Sequence, residues 1–135
     1  MSEVSTVLIA VSDHAEWASV IEELSVEYGY RVFTAGSFKE ALKLGEKAQI
    51  DLIIGEPMDG TTSDWTLGEY RLRHPNTVRL MLFDRERVEP SRQSAERGAI
   101  YQFLTRPLDT QQVGLVVKRA LEACELARRH RLLSR

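Results

Sequence analysis

Residues 50–60, IDLIIGEPMDG, decide how the chain folds. A short apolar run with an acidic residue before it and turn residues after it is typical of a strand buried on both faces of a sheet. Glu56 stands at the carboxyl end of this strand, where Pro57, Asp59 and Gly60 turn the chain. Ligands and chemistry collect at the carboxyl edge of a wound α/β sheet. The sequence therefore predicts that the Glu56 carboxylate lies in the functional site.

The composition indicates one ordinary globular domain. The chain has 135 residues, of which 43% are hydrophobic, enough to bury a core without disulfides or a structural metal. The single cysteine, Cys124, excludes a disulfide framework within the chain and fits a reducing compartment. We find neither a secretory signal nor an apolar run long enough to span a membrane. We expect a cytoplasmic protein with no membrane contact.

The charge is distributed unevenly along the chain. The formal net charge is −2, but residues 128–135 contain four arginines and no acid, so the rest of the chain is acidic. An acidic body does not favour nucleic-acid binding, and we predict no nucleic-acid partner for this domain. The basic end is explained more simply by the preference of a helix C-terminus for positive charge.

Hydrophobic spacing predicts five strand–helix units. The predicted strands are Ser5–Val11, Arg31–Thr34, the central stretch after Ile50, Val78–Phe83 and Ile100–Leu104. The predicted helices are Ala15–Tyr28, one opened by a Ser37–Glu40 capping box, Asp64–His74, Asp84–Arg97 and one that begins at Asp109. Of these, Asp84–Arg97 has almost no apolar stripe. Apolar strands in alternation with helices indicate a doubly wound parallel sheet covered on both faces.

The last helix is too long for the domain that it closes. If it continues to Leu133 it measures about 36 Å at ~1.5 Å per residue, roughly twice what a domain of this size needs. We therefore divide the chain into a domain over residues 1–124 and an extension of the last helix over residues 125–135. The extension is expected to pair with another chain or to start a connector to a missing output domain.

Three segments resemble the receiver domain of two-component response regulators. They are VLIAVSD at residues 7–13, DLIIGE at 51–56 and FLTRP at 103–107, and their order and separation match over about residues 5–124. Residues 74–82 and 98–107 look especially like receivers attached to cyclic-dinucleotide phosphodiesterase or other output domains. The resemblance implies a flavodoxin-like (CheY-like) fold with five parallel strands in the order 2-1-3-4-5 and five helices.

The resemblance also implies where a phosphorylation site would lie. In the family, two acids after the first strand and an aspartate after the third hold magnesium, and that aspartate accepts a phosphoryl group. The acid pair corresponds here to Ser12 and Asp13, and the phosphoacceptor position to Glu56. The chain thus resembles a degenerate, pseudo-receiver type.

The remaining switch positions of the family are changed as well. The position of the phosphate-binding Thr or Ser is Phe83, the switching aromatic is Phe103, and the lysine is replaced by Arg106. Pro107 matches the family, and by resemblance the Arg106–Pro107 peptide bond should be cis. As simple filler, Phe83 would instead pack against Phe103 and prevent the switching movement.

These substitutions argue against phosphorylation on physical grounds. A nucleophile must lie about 3–3.5 Å from phosphorus, and a displacement of ~1 Å costs ~100-fold in rate; the extra methylene of Glu56 is a displacement of that size. Phe83 cannot donate a hydrogen bond to phosphate. Of the acidic ligands only Asp13 and Glu56 remain for magnesium, which prefers octahedral oxygen coordination. We expect neither a metal nor another cofactor.

Three functional hypotheses remain open. In the first, Glu56 pairs permanently with Arg106, and the domain is a non-enzymatic docking module for a signalling protein or its own output domain, or a homodimer formed through the last helix. In the second, the domain is a weakly active receiver that still responds to phosphodonor and magnesium. In the third, a small-molecule binder or enzyme uses the acids near the strand ends, Asp13, Glu56, Asp59 and Asp64.

Overall fold

The computed structural model describes residues 4–56, 63–83 and 100–133 and contains one five-stranded parallel sheet. Its strands are β1 (Thr6–Ala10), β2 (Arg31–Ala35), β3 (Leu52–Gly55), β4 (Val78–Phe83) and β5 (Gln102–Thr105). They lie in the order β2-β1-β3-β4-β5, and every neighbouring pair is parallel. The predicted sheet and its strand order are confirmed.

Four helices cover this sheet within the described part of the chain. They are α1 (Ala18–Glu22), α2 (Phe38–Lys47), α3 (Ser63–Arg73) and α4 (Thr110–Leu133). The predicted helix Ala15–Tyr28 is divided, because a 3-10 turn, His14–Trp17, precedes α1 and a π turn, Glu23–Glu27, follows it. The fourth predicted helix, Asp84–Arg97, lies outside the described residues.

The core has one layer on each face of the sheet. Leu52 and Ile54 of β3 face the layer formed with α1 and α4, whereas Ile53 faces the layer formed with α2 and α3. All three side chains are fully buried. Because burial of one such side chain contributes about 1.5–3 kcal/mol, β3 alone stabilises the fold by several kcal/mol. The prediction that the central strand is buried on both faces is confirmed.

Local signals at the chain turns act as the sequence predicts. The Ser37 side chain accepts a 3.1 Å hydrogen bond from the Glu40 backbone N–H at the start of α2. Asp109 accepts a 3.1 Å bond from the Gln112 N–H at the start of α4. Gly29, after the π turn, has φ of +72°, a conformation that side chains with a Cβ rarely adopt.

The strand register brings distant residues to the same edge. Ala10 of β1 pairs with Gly55 of β3, so the residues after both strands emerge side by side. Phe83 of β4 pairs with Thr105 of β5, which places Arg106 at the same edge. Ser12, Glu56 and Arg106 are therefore neighbours in space although 44 to 50 residues separate Glu56 from the other two.

Helix α4 spans the predicted boundary at residue 124, which stays a prediction. It has 24 residues and is buried against the sheet as far as Ala120, while Leu126 in its second half is 69% exposed. Across the described ranges, none of the helices is both long enough and apolar enough to traverse a lipid bilayer.

Candidate functional site at the carboxyl edge of the sheet

Glu56 is a buried carboxylate at the end of β3. The residue is 3% exposed, and its Oε1 accepts hydrogen bonds from the Ser12 backbone N–H at 2.7 Å and the Ser12 hydroxyl at 3.1 Å. Both donors come from the turn that follows β1. The receiver resemblance implies an acid at position 12, but Ser12 instead donates two hydrogen bonds to the buried Glu56 carboxylate.

Arg106 contacts the other oxygen of Glu56. Its Nη2 donates to Glu56 Oε2 at 2.7 Å, so the predicted contact between the two residues is present. The two-pronged contact of the guanidinium, however, is made with Glu16. Nε donates to Glu16 Oε2 at 2.7 Å, and Nη2 donates to Glu16 Oε1 at 3.0 Å. Such paired, charge-assisted bonds are among the strongest that side chains form.

Glu16 is the functional residue that the sequence reasoning missed. It lies in the 3-10 turn after β1, and Asp13 caps this turn by accepting from the N–H groups of Ala15 at 3.1 Å and Glu16 at 3.4 Å. The spacing Asp13-x-x-Glu16 is that of a capping pattern, which puts an acid in the first helical turn. That pattern, beside a strand edge, is the signal that predicts an acid near Arg106.

The charges of this cluster favour the arginine cation. Hydrogen bonds to Glu16, and then the bond to and charge of Glu56, raise the pKa of Arg106 above its ordinary value, although partial burial acts in the opposite direction. The Glu56 side chain is 4% exposed and the Arg106 side chain 30%. At ~4 Å and an effective dielectric near 20, each ion pair is worth about 4 kcal/mol before desolvation is subtracted.

The remaining predicted site residues are Pro107, Phe103 and Phe83. The Arg106–Pro107 peptide bond is cis, as the resemblance implies. Phe103 is half-buried beside the core layer of α2 and α3. Phe83 is the last residue of β4, but its side chain, and so the predicted packing against Phe103, lies outside what the structure describes.

The residues that the structure describes at this edge do not fit a magnesium ion. Mg²⁺ needs free oxygen ligands in octahedral geometry at about 2.0–2.1 Å. Both oxygens of Glu56 accept N–H or O–H donors, and Oδ1 of Asp13 is used as the helix cap. The cation beside Glu56 is the Arg106 guanidinium. Residues 4–56, 63–83 and 100–133 contain no group of three or more His, Cys, Asp or Glu able to hold a metal.

Of the four acids proposed for an acid–base enzyme, the structure describes the side chains of two. Asp59 and the side chain of Asp64 lie outside the described residues. Asp13 and Glu56 are brought to one edge, where the first caps a turn and the second pairs with Arg106. In both contacts the carboxylate accepts hydrogen bonds from N–H or O–H donors of the protein.

Comparison with known proteins identifies the fold. No protein-family model and no curated protein matches the sequence. Among solved structures, an adenylate cyclase from Rhodopirellula baltica matches with a TM-score of 0.84 and 21% identity, over 98% of this chain and 99% of the other. The signal receiver domain of an HD domain-containing protein from Pseudomonas fluorescens Pf-5 gives 0.78 and 22%, over 96% and 95%.

A CheY-like response regulator receiver domain from Methanospirillum hungatei JF-1 gives a TM-score of 0.80 and 18% identity, over 93% of this chain and 99% of that one. At these identities the likeness is one of fold. The chain has the CheY-like fold of response-regulator receiver domains.

Proposed function

We propose that this chain is a signal-transduction receiver domain of the phosphorelay type that is not a working phosphoacceptor and acts as a constitutive protein–protein module. The observation that carries the proposal is the state of Glu56, whose two oxygens both accept hydrogen bonds within the protein, from Ser12 and Arg106. The proposal includes a cytoplasmic location and no enzymatic activity, as the sequence predicts.

The chemistry of Glu56 supports the first part of this proposal. An attacking carboxylate must present a free lone pair in line with phosphorus. Here Oε2 lies 2.7 Å from Arg106 Nη2, and Oε1 lies 2.7 Å from the Ser12 nitrogen. Oε1 accepts two donors from Ser12, and Oε2, which keeps a second lone pair, is paired with the Arg106 cation, which makes it a weaker nucleophile. The longer side chain displaces the carboxylate as well.

The position of Arg106 supports a single conformation. Its guanidinium links the turn after β1, the end of β3 and the segment between β5 and α4. A rearrangement that separates these segments must break both ion pairs, at a cost of about 2–4 kcal/mol after allowance for the partial exposure of Arg106. At 1.4 kcal/mol per factor of ten, the separated form is populated to a few per cent at most.

Helix α4 is the surface that we propose for partner binding. Leu115 and Leu126 are 44% and 69% exposed on this helix, and the sequence contains Arg128, Arg129 and Arg131 near its end, followed by Arg135. The exposed leucines suit a second copy of α4, and the positive charge suits an acidic segment of a signalling protein or output domain. Self-association through α4 is the form that can be tested without a known partner.

The test is exposure of the purified protein to acetyl phosphate, or to beryllofluoride, each with magnesium. We expect no added mass and no chemical-shift change at the amides of Ser12, Glu56 and Arg106. Self-association, measured by light scattering, should be the same with and without the reagents. A receiver with a complete aspartate site serves as the positive control. An added phosphoryl group, or association that depends on the reagent, would support a weakly active receiver instead.

A further inference from the structure

The geometry around Arg106 resembles that of a bound cation. Its Nη2 atom lies 2.7 Å from Glu56 Oε2 and 3.0 Å from Glu16 Oε1, so two carboxylates from different segments converge on one NH₂ group. The capped turn after β1 places Glu16 there, and the end of β3 places Glu56. Convergence of carboxylate oxygens on one positive centre is how proteins also hold divalent ions.

The receiver fold implies a divalent cation at this edge, and the residues described there do not fit one. We propose that the Arg106 guanidinium is the resident cation of this pocket, that Glu16 is the positioning residue that holds it there, and that the pocket consequently excludes magnesium. This inference concerns the site of the proposed function, and its relevance to signalling depends on that function. Its test measures cation binding, whereas the proposed function is tested by phosphodonor.

The distances favour a guanidinium over a magnesium ion. Carboxylate oxygens at 2.7 and 3.0 Å match N–H···O bonds, whereas magnesium requires contacts of about 2.0–2.1 Å. Glu56 Oε1 is not available as a further ligand, because it already accepts two donors from Ser12. Magnesium would have to contract the pocket, replace those donors and displace a cation that is attached to the chain.

Glu16 decides how firmly the guanidinium is held. It accepts two of the three hydrogen bonds that join Arg106 to the two carboxylates. Its side chain is 26% exposed and that of Glu56 is 4% exposed, so Glu16 forms the outer wall of the pocket. Without Glu16, the cation would keep a single bond to Glu56 and the outer side of the pocket would open to water.

The experiment compares Mn²⁺ binding by the wild-type protein and by Arg106→Ala. The readout is paramagnetic broadening of the amide signals of Ser12, Glu16 and Glu56. We expect the wild-type protein to show no selective broadening at millimolar Mn²⁺. The Arg106→Ala variant should bind Mn²⁺ at least tenfold more tightly and should be stabilised by millimolar methylguanidinium, which replaces the missing side chain.

Two control variants make the result specific. Arg73 also contacts two carboxylates, of Glu46 and Glu69, but on an exposed surface, and Arg73→Ala should therefore gain neither Mn²⁺ nor methylguanidinium binding. Adding Glu16→Gln to Arg106→Ala removes one carboxylate charge and should abolish most of the gain.

Either of two results would overturn the inference. One is selective broadening at Ser12 and Glu56 in the wild-type protein, which would mean that a divalent ion binds although Arg106 is present. The other is a folded Arg106→Ala variant that binds neither Mn²⁺ nor methylguanidinium. The wild-type titration requires no variant, so it decides the exclusion of metal even if Arg106→Ala does not fold. If metal is excluded and phosphodonor nevertheless modifies the protein, the proposed function fails and this inference stands.

Discussion

Replacement of Arg106 by methionine tests whether the ion pairs at the sheet edge stabilise one conformation. Methionine retains much of the aliphatic volume of arginine but removes the charge and all three hydrogen bonds to Glu16 and Glu56. Glu56, which is 3% exposed, would keep its two bonds from Ser12 but lose its counter-charge. The buried carboxylate is therefore the main source of the expected cost.

The magnitude follows from burial. Removing one partner of a fully buried ion pair costs about 3–5 kcal/mol, whereas exposed pairs contribute about 0–1 kcal/mol. The Arg106 side chain is 30% exposed and lies between these limits. We expect the free energy of unfolding to fall by about 2–4 kcal/mol, which for a domain of this size lowers the melting temperature by roughly 7–15 °C.

The assay is chemical denaturation of the wild-type protein, Arg106→Met and the matched variant Arg73→Met. Arg73 contacts Glu46 at 3.4 Å and Glu69 at 3.3 Å, and its side chain is 49% exposed, so its loss should cost less than about 1 kcal/mol. A loss at Arg106 no greater than that at Arg73 would refute the reasoning, because the cluster would then contribute no more than a surface pair.

Three further outcomes are expected. A Cβ on Gly45 would lie 2.6 Å from the Tyr70 hydroxyl and 2.8 Å from His74 Nε2. Gly45→Ala should therefore lower the free energy of unfolding by about 1–2 kcal/mol in chemical denaturation. Gly36→Ala is the control and should leave it unchanged, because a Cβ there has nothing within 4 Å. Burial raises the pKa of Tyr70 to about 12 from 10.0, so absorbance titration should show a late-ionising tyrosine that is missing in Tyr70→Phe. As pH rises, Tyr70 loses its proton at a lower pH in the unfolded chain than in the folded one. The stability due to Tyr70 should therefore be complete below pH 10 and should fall by roughly 2–3 kcal/mol as pH rises through 12. Tyr70→Phe should remove this dependence. Ser37→Ala should cost about 1 kcal/mol through loss of its 3.1 Å cap to α2, and an unchanged denaturation midpoint would contradict that.

The sheet was predictable because its signals are local and repeated. The apolar run around Ile53 is buried on both faces as its composition predicts, and Gly29 ends the first helical unit with positive φ. The contact between Glu56 and Arg106 was also predictable, since both residues directly follow parallel strands and must emerge at one edge. These predictions need only strand order and chain direction.

What sequence reasoning missed depends on details of helical hydrogen bonding. Apolar spacing predicts a helix after β1, but it does not separate 3-10, α and π turns, all three of which occur between His14 and Glu27. The opening turn decides which way Glu16 points. The fork of Arg106 therefore contacts Glu16, whereas reasoning from the strand ends alone assigned it to Glu56.

The side chains at this edge depend on one another. An acid at position 12 would place a second carboxylate about 3 Å from Glu56 Oε1, where the Ser12 hydroxyl now donates at 3.1 Å. Two carboxylates so close cannot both ionise unless a cation lies between them. Because position 12 is a serine, the second carboxylate of the cluster is that of Glu16, on the outer side. The Arg106 guanidinium lies between Glu16 and Glu56. Because Ser12 donates to Oε1 of Glu56 and Arg106 donates to Oε2, loss of either residue alone would leave an oxygen of this buried carboxylate without its donor.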